Sequence, residues 1–169
     1  MEKREQIVAG FSHGFHNAAW AKVQGDRILF AQETERVSRK KFDAELGFIP
    51  LTIDADVHVF YENIYKKNDR RISFSQPPAQ TKYLHQYSYM RKHHESHAAS
   101  AYYTAPFSED VVCVVIDAIG EWDTCSIWRV NDGILEKVWS KKYPFSLGLF
   151  YSAITKRVGL QPNCDEYIT

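Results

Sequence analysis

The sequence predicts an α/β or α+β fold in which sheets, built from β-meanders, are flanked by helices. Two groups of short apolar runs joined by tight turns occur, one near the amino terminus and one in the last third of the chain. Segments with helical character follow His93 and Ser146. Sheets must bury an apolar face, and the helices of such a chain are the elements available to cover it. The 169 residues suffice for one domain with a core.

The first predicted meander has three strands. Gln6 to Phe11 is a short apolar run that ends at the turn-prone Ser12-His13-Gly14. A second strand is predicted over Ala18 to Val23, and Gly25-Asp26 suits a tight hairpin turn. Arg27 to Gln32 is then the returning strand of this meander.

The middle of the chain is more polar. Glu33 to Asp43 is dense in charge, which is typical of a solvated surface. His58 to Tyr61 predicts another short strand. Lys66 to Lys82 is polar, contains Pro77-Pro78 and shows no sustained periodicity, so it predicts a loop.

The second predicted meander begins with a buried strand from Val111 to Asp117. Thr124 to Val130 is its second strand, and Ile134 to Ser140 is its third. Asn131-Asp132-Gly133 between the last two is a strong hairpin signal.

A helix is predicted after this meander, over Leu147 to Val158. Ser146 suits its N-cap, and Gly159 suits its C-terminal cap. The last residues, Asn163 to Thr169, carry no stop signature, so we expect the chain to be a fragment of a longer polypeptide.

Composition and charge exclude several classes of partner. Lys+Arg and Asp+Glu both number 21, so no charge excess attracts nucleic acid or an anionic membrane. No apolar run approaches the roughly 20 residues that span a bilayer. The start lacks the apolar core of a secretory signal, and the three cysteines are few, odd in number and not in CxxC spacing. We therefore expect a cytoplasmic protein with reduced thiols.

The histidine cluster His93-His94-Glu95-Ser96-His97 is the strongest functional signal. A spacing of four puts His93 and His97 on one face of a helix, where they can share a metal ion. Asp117, at the predicted end of an apolar strand, is a suitable third ligand. The pattern is not the HExxH of zinc proteases. The alternative is a helix start with solvated histidines.

Two turns are weaker candidates. Asp117 to Thr124 places a glycine, carboxylates and a hydroxyl between two strands, where backbone N–H groups can approach a phosphate. The alternative is a hairpin with exposed acids. The loop from His13 to Asn17 contains two histidines, either of which can act as an acid or base near neutral pH. On this segment alone, a polar turn is favoured.

Together these pieces resemble the amino-terminal domain of the O-carbamoyltransferase family, the nodulation, cephalosporin and tobramycin carbamoyltransferases. The resemblance covers nearly the whole chain, in ordered motifs. The matching segments are Gly10 through Ala19, Glu33 through Lys41, His93 to Ala99, Asp117 to Thr124, Ser146 to Tyr151 with Thr155 and Gly159, and Glu166-Tyr167. Asn17 stands where the family usually has Asp, and Ala118 where it has Gly.

The resemblance implies that residues 1–169 form the amino-terminal lobe of a carbamoyltransferase-type domain. This would be the first lobe of an actin-like ATPase (ribonuclease H-like) fold, an α/β fold with a mixed sheet from β-meanders and flanking helices. It implies that His93, His97 and Asp117 bind iron or another divalent metal, and that His16 takes a direct part in the transfer step. The turn at Gly120, with Glu121 and Thr124, would lie by the phosphates of ATP.

The resemblance further implies the reaction and its partners. In the full enzymes, carbamoyl phosphate and ATP give a carbamoyl-adenylate in a carboxy-terminal domain, which is missing here, and the carbamoyl group then passes to the hydroxyl of a small-molecule acceptor. The alternative is a non-catalytic module of the same fold that binds metal or nucleotide. A sugar-kinase-like member of the superfamily is disfavoured, because a kinase needs no paired histidine ligands.

Overall fold

The chain divides into two compact units, Met1–Lys92 and His93–Thr169, each with its own sheet. The computed structural model describes residues 5–15, 17–79, 83–106, 110–162, 164–165 and 168. The expectation of a single lobe over residues 1–169 stays a prediction.

The first unit contains a mixed sheet of five strands in the order β3-β2-β1-β4-β5. The first three strands form an antiparallel meander, and β4 and β5 run parallel to β1. The strands are β1 (Ile7–Ser12), β2 (Ala19–Gln24), β3 (Arg27–Glu33), β4 (Val57–Phe60) and β5 (Tyr89–Met90). The predicted meander, the short strand and the α/β class are confirmed, in the arrangement expected of a ribonuclease H-like lobe.

The core of this unit forms on one face of β1. Ala9 and Phe11 alternate with less buried neighbours and point to that face, where Ala18 and Leu46 are also buried. The ring of Phe11 stacks on that of Trp20, with centroids 6.4 Å apart. The alternation within β1 therefore fixes which side of the meander is covered.

Two helices follow the meander, α1 (Thr34–Ser38) and α2 (Ile64–Ser73). The prediction of a loop over Lys66 to Lys82 is wrong for the part that α2 occupies. The side chain of Asn63 caps this helix by accepting a hydrogen bond from the Lys66 N–H, and Ile64 is fully buried. Most other positions of α2 are charged or polar, so the apolar period that signals a helix is missing from the sequence.

The second unit contains an antiparallel sheet in the order β6-β7-β8 and two helices. Its elements are α3 (His93–Tyr103), β6 (Val111–Gly120), β7 (Asp123–Asn131), β8 (Ile134–Lys142) and α4 (Leu147–Arg157). The second predicted meander is confirmed. Its first strand does not end at Asp117, however: β6 continues to Gly120, with a shift of pairing register between Ile116 and Gly120.

The core of the second unit lies on one face of its sheet. Cys113 and Val115 of β6 pack there with Trp128 and Val130 of β7 against Ala98 of α3. The prediction that β6 is a buried strand is therefore only half right. Alternate side chains point the other way, and Val112, Val114 and Ile116 are 65%, 59% and 58% exposed.

The predicted turns and caps of the second unit are confirmed. Asp132 and Gly133 both have positive φ, as the hairpin turn requires. Ser146 caps α4 by accepting a hydrogen bond from the Leu149 N–H. At the other end of α4, Gly159 has φ +88°, and the Leu160 N–H returns to the Thr155 carbonyl.

Two further expectations concern cysteines and membranes. Cys113, Cys125 and Cys164 are free thiols, and Cys113 is buried in the core of the second unit. None of the helices within the described ranges combines the length and apolar character needed to cross a bilayer.

Candidate metal centre

Helix α3 positions two of the predicted ligands. The alanines after His97 favour helix, and Ala98 is fully buried in the core of the second unit, which fixes the rotation of α3 about its axis. With this rotation, His93 and His97 lie on one side of the helix. Their Nε2 atoms are 3.0 Å apart. The predicted helical pair is therefore present.

Asp117 completes the cluster from β6. Its Oδ2 lies 3.0 Å from Nε2 of His93, while its Oδ1 accepts a hydrogen bond of 2.6 Å from the Ala118 N–H. One ligand atom from each of His93, His97 and Asp117 can be chosen so that all lie within 4.8 Å of one another. The structure thus brings together the three residues that the sequence suggested as metal ligands.

The protonation of Asp117 and of His97 suits a cation. Burial alone would raise the pKa of Asp117, but the hydrogen bonds from His93 and the Ala118 N–H, with the positive charge of His93, hold it at about 2. The pKa of His97 is lowered, first by burial of the ring and then by the neighbouring charge of His93. At neutral pH the cluster therefore offers a carboxylate and a neutral imidazole.

The geometry fits one divalent metal ion. Two nitrogens and a carboxylate oxygen are donors that iron and zinc both accept. His93 Nε2 lies 3.0 Å from a ligand atom of each of the other two residues, so the three side chains would hold one ion between them. Nε2 of His93 and Nε2 of His97 lie close together, and only one of them can direct a proton at the other. An ion bound to both nitrogens would relieve this close approach.

Two glycines make room for this cluster. A Cβ on Gly120 would lie 2.8 Å from Cδ2 of His94 and closer still to Cδ2 of His93. A Cβ on Gly148 would lie 2.5 Å from the backbone nitrogen of Ala118. Gly120 therefore admits the histidine rings, and Gly148 admits the backbone of β6 against the start of α4.

The residues predicted to bind nucleotide already have partners within the second unit. Glu121 Oε1 accepts a hydrogen bond from the backbone N–H of His93 at the start of α3, with 3.4 Å between the nitrogen and the oxygen. Thr124 is fully buried, and its hydroxyl bonds to the carbonyls of Lys141 and Phe145. These contacts give both residues, like Gly120, a structural role. Nucleotide binding by the three stays a prediction.

His16, the predicted catalytic residue, lies outside the residues that the structure describes. Beside it in the chain, the side-chain amide of Asn17 donates hydrogen bonds of 3.0 and 3.3 Å to Glu33 and Glu35. The segments Gly10 through Ala19 and Glu33 through Lys41, which were recognised as separate motifs, are therefore in contact within the first unit. His13 is buried and hydrogen-bonded to the hydroxyl of Tyr87, and burial lowers its pKa.

Sequence reasoning missed His94. This residue is 2% exposed, its Nδ1 lies 2.7 Å from Ser126 Oγ, and its Nε2 lies 4.0 Å from Asp117 Oδ2. Ser126 Oγ also accepts a hydrogen bond from the indole N–H of Trp128. The sequence did contain a signal for the partners of this histidine. Ser126 and Trp128 occupy alternate positions of a predicted strand, so their side chains must lie on the same face.

Comparison with known proteins identifies the family. A family model described as the carbamoyltransferase N-terminus matches residues 51–169, a range that includes the metal cluster but not His16. A Synechocystis protein, the uncharacterized sll1178, is 30% identical over 95% of this chain and 33% of its own length. The uncharacterized MJ1051 of Methanocaldococcus jannaschii is 28% identical over 95% of the chain and 31% of its own length.

The chain thus spans about a third of the length of these two relatives. A further protein of Methanocaldococcus jannaschii, the uncharacterized MJ1058, is 32% identical over 44% of the chain and 15% of its own length. The matched family residues cover well over half of the chain, and they include both helices and all three strands of the second unit. The chain belongs to the carbamoyltransferase N-terminus family.

Proposed function

We propose that this chain supplies the metal-binding part of a carbamoyl-transfer site. The cluster of His93, His97 and Asp117 carries the proposal, because three metal-ligand atoms converge within the region that matches the family. Iron or another divalent metal bound there would hold oxygen atoms of a substrate and polarise a carbonyl group. Asp117 and His97 are in the protonation states that binding needs, since the pKa of each is lowered.

The reaction that we propose is ATP-dependent O-carbamoylation. Carbamoyl phosphate, ATP and water would give a carbamoyl-adenylate, phosphate and pyrophosphate in a carboxy-terminal domain, for which relatives about three times as long have room. The hydroxyl oxygen of a small-molecule acceptor would then bond to the carbamoyl carbon, and the bond from that carbon to the phosphate oxygen of AMP would break. His16 would take the proton of the hydroxyl. In this proposal, Gly120, Glu121 and Thr124 lie near the nucleotide.

Metal binding is tested by removing both histidine ligands. We expect His93→Ala combined with His97→Ala to abolish stoichiometric binding of iron or zinc, measured by elemental analysis after dialysis. His85→Ala, which removes a solvent-exposed histidine of the first unit, is the control and should leave the metal content unchanged. Equal metal content in the double variant and the control would refute the metal site.

Carbamoyl transfer is tested in the full-length polypeptide that contains this chain. Supplied with carbamoyl phosphate and ATP, it should form a carbamoyl-adenylate and pass the carbamoyl group to a hydroxyl. We expect His16→Asn to lower transfer and to leave adenylate formation intact. Undiminished transfer would remove His16 from the mechanism. Metal binding without adenylate formation or transfer would favour the non-catalytic module instead.

A further inference from the structure

One buried nitrogen beside the metal cluster has no assigned role. Nε2 of His94 is inaccessible to solvent and has no hydrogen-bond partner among the described residues. It faces the carboxylate of Asp117, with 4.0 Å between Nε2 and Oδ2. Buried polar atoms of this kind are rare in folded proteins, so an orphan at the edge of a candidate metal centre calls for an explanation.

The hydrogen bonds on the other side of the ring fix the position of its proton. The indole N–H of Trp128 can only donate, so Ser126 Oγ accepts that bond of 2.8 Å. Within the described part of the chain, the remaining partner of the buried Ser126 hydroxyl is Nδ1 of His94, at 2.7 Å. If it did not donate to Nδ1, its proton would be buried without an acceptor among the described residues, so the hydroxyl donates to Nδ1. A neutral His94 then carries its proton on Nε2, the atom that faces Asp117.

A protonated Nε2 cannot bind a metal ion through that atom, because its lone pair is used by the N–H bond. It can donate a hydrogen bond to an oxygen. We propose that His94 is a positioning residue: the chain Trp128–Ser126–His94 fixes an Nε2–H donor that orients the Asp117 carboxylate at the metal centre. This assignment rests on the proposed metal site, and it explains why His93 and His97 are the ligands while the histidine between them is not.

The surroundings of His94 agree with this role. The ring is 2% exposed, so solvent does not compete with Ser126 for Nδ1. Asp117 Oδ1 is already held by the Ala118 N–H, so Oδ2 is the oxygen available to both an ion and His94. Polar groups around metal-binding carboxylates fix their orientation in many sites. Here the Nε2–H faces Oδ2 across 4.0 Å, which makes the contact an electrostatic one.

The tautomer is tested directly by nitrogen-15 NMR of the histidine side chains in the metal-free protein. We expect His94 to be the Nε2–H tautomer in the unmodified protein and to become a mixture in Ser126→Ala. Ser140→Ala removes a hydroxyl at the position paired with Ser126 on β8, and it should change nothing. An Nδ1–H tautomer in the unmodified protein would overturn the proposal.

The positioning role is tested by titrating zinc into the purified protein in a calorimeter. We expect His94→Leu to weaken zinc binding by roughly 10- to 100-fold. His94→Gln, whose side-chain amide can donate where Nε2–H did, should recover part of that affinity. His58, a buried histidine of the first unit, provides the control, since His58→Leu should leave the affinity unchanged.

The outcomes separate this inference from the proposed function. Zinc binding by the unmodified protein, together with unchanged affinity in His94→Leu, would overturn the positioning role and leave the metal site standing. A nitrogen-15 shift showing His94 Nε2 bonded to zinc would also overturn it, by making His94 a ligand. Absence of zinc binding in the unmodified protein would overturn the metal site and the positioning role together.

Discussion

Three histidines among the first five residues of α3 have different environments, and these environments decide what each can do. His93 and His97 direct their Nε2 atoms at each other across 3.0 Å, and His93 also contacts Asp117. His94 points instead into the core, where Ser126 holds its Nδ1. Identical side chains therefore divide into two candidate ligands and one fixed donor, because a helix turns each successive side chain by about 100°.

Gly120 gives a test of this arrangement at the level of one residue. A methyl group at position 120 would collide with the rings of both His93 and His94, so the rings or the strand must move. We expect Gly120→Ala to destabilise the protein by roughly 1–3 kcal/mol, the usual cost of overpacking, and to weaken zinc binding. Denaturant unfolding and calorimetry measure the two effects.

Gly10→Ala is the matched control for this substitution. A Cβ on Gly10 would meet no atom within 4 Å, and this glycine does not have positive φ. The variant should keep the zinc affinity of the unmodified protein. Equal unfolding free energies and equal zinc affinities in Gly120→Ala and Gly10→Ala would contradict the close packing of the histidine rings around Gly120.

Among the elements, the start of α4 is tied to the part of β6 that carries Asp117. Ser146 Oγ accepts the Leu149 N–H, and its own hydrogen bonds reach the carbonyls of Ala118 and Asp117 at 2.6 and 3.2 Å. Gly148 lets the helix approach the same backbone. One side chain therefore caps the helix and holds the strand beside a candidate ligand.

This double role predicts a difference between two N-cap variants. We expect Ser146→Ala and Asn63→Ala each to cost about 1 kcal/mol of unfolding free energy, since each removes the side-chain cap of a helix. Only Ser146→Ala should also weaken zinc binding, by several-fold, because Asn63 caps α2 in the other unit. Equal zinc affinities in the two variants would show that the bonds from Ser146 to β6 do not position Asp117.

For the whole molecule, the carboxylate of Asp117 links stability to pH. Its pKa is about 2 in the folded protein, against 3.8 for an unperturbed group. A lowered folded-state pKa contributes stability that is fully present above the unfolded value and is lost as the pH falls from about 4 towards 2. The difference corresponds to roughly 2 kcal/mol, since one pKa unit is about 1.4 kcal/mol.

We therefore expect the unfolding free energy of the metal-free protein to fall between pH 4 and pH 2 more steeply than that of Asp117→Asn. Denaturant titrations at several pH values, with a chelator present, make the comparison. The Asp43 carboxyl also has a lowered pKa, but it is unchanged in the variant, so it contributes equally to both curves. Parallel curves over this range would contradict the strong interaction of Asp117 with His93.

Much of the fold follows from local features of the sequence. Apolar alternation and turn residues are enough to predict both meanders, and Ser146 and Gly159 mark the ends of α4. Helix α2 was not predicted, because its stability depends on one cap and one buried apolar residue, Ile64, rather than on a repeating apolar face. When a helix is stabilised by tertiary packing and has no repeating apolar face, the local sequence gives little indication that the helix is there.

The sequence by itself determined the spacing of His93 and His97, because residues four apart on a helix meet whatever surrounds them. Only the tertiary structure decided that Asp117 lies 3.0 Å from His93, that β6 continues past it, and that His94 turns its Nε2 towards the same carboxylate. Contacts between a helix and a strand depend on how their buried faces pack. That packing is set by Ala98, Cys113 and Trp128 together, and not by any spacing along the chain.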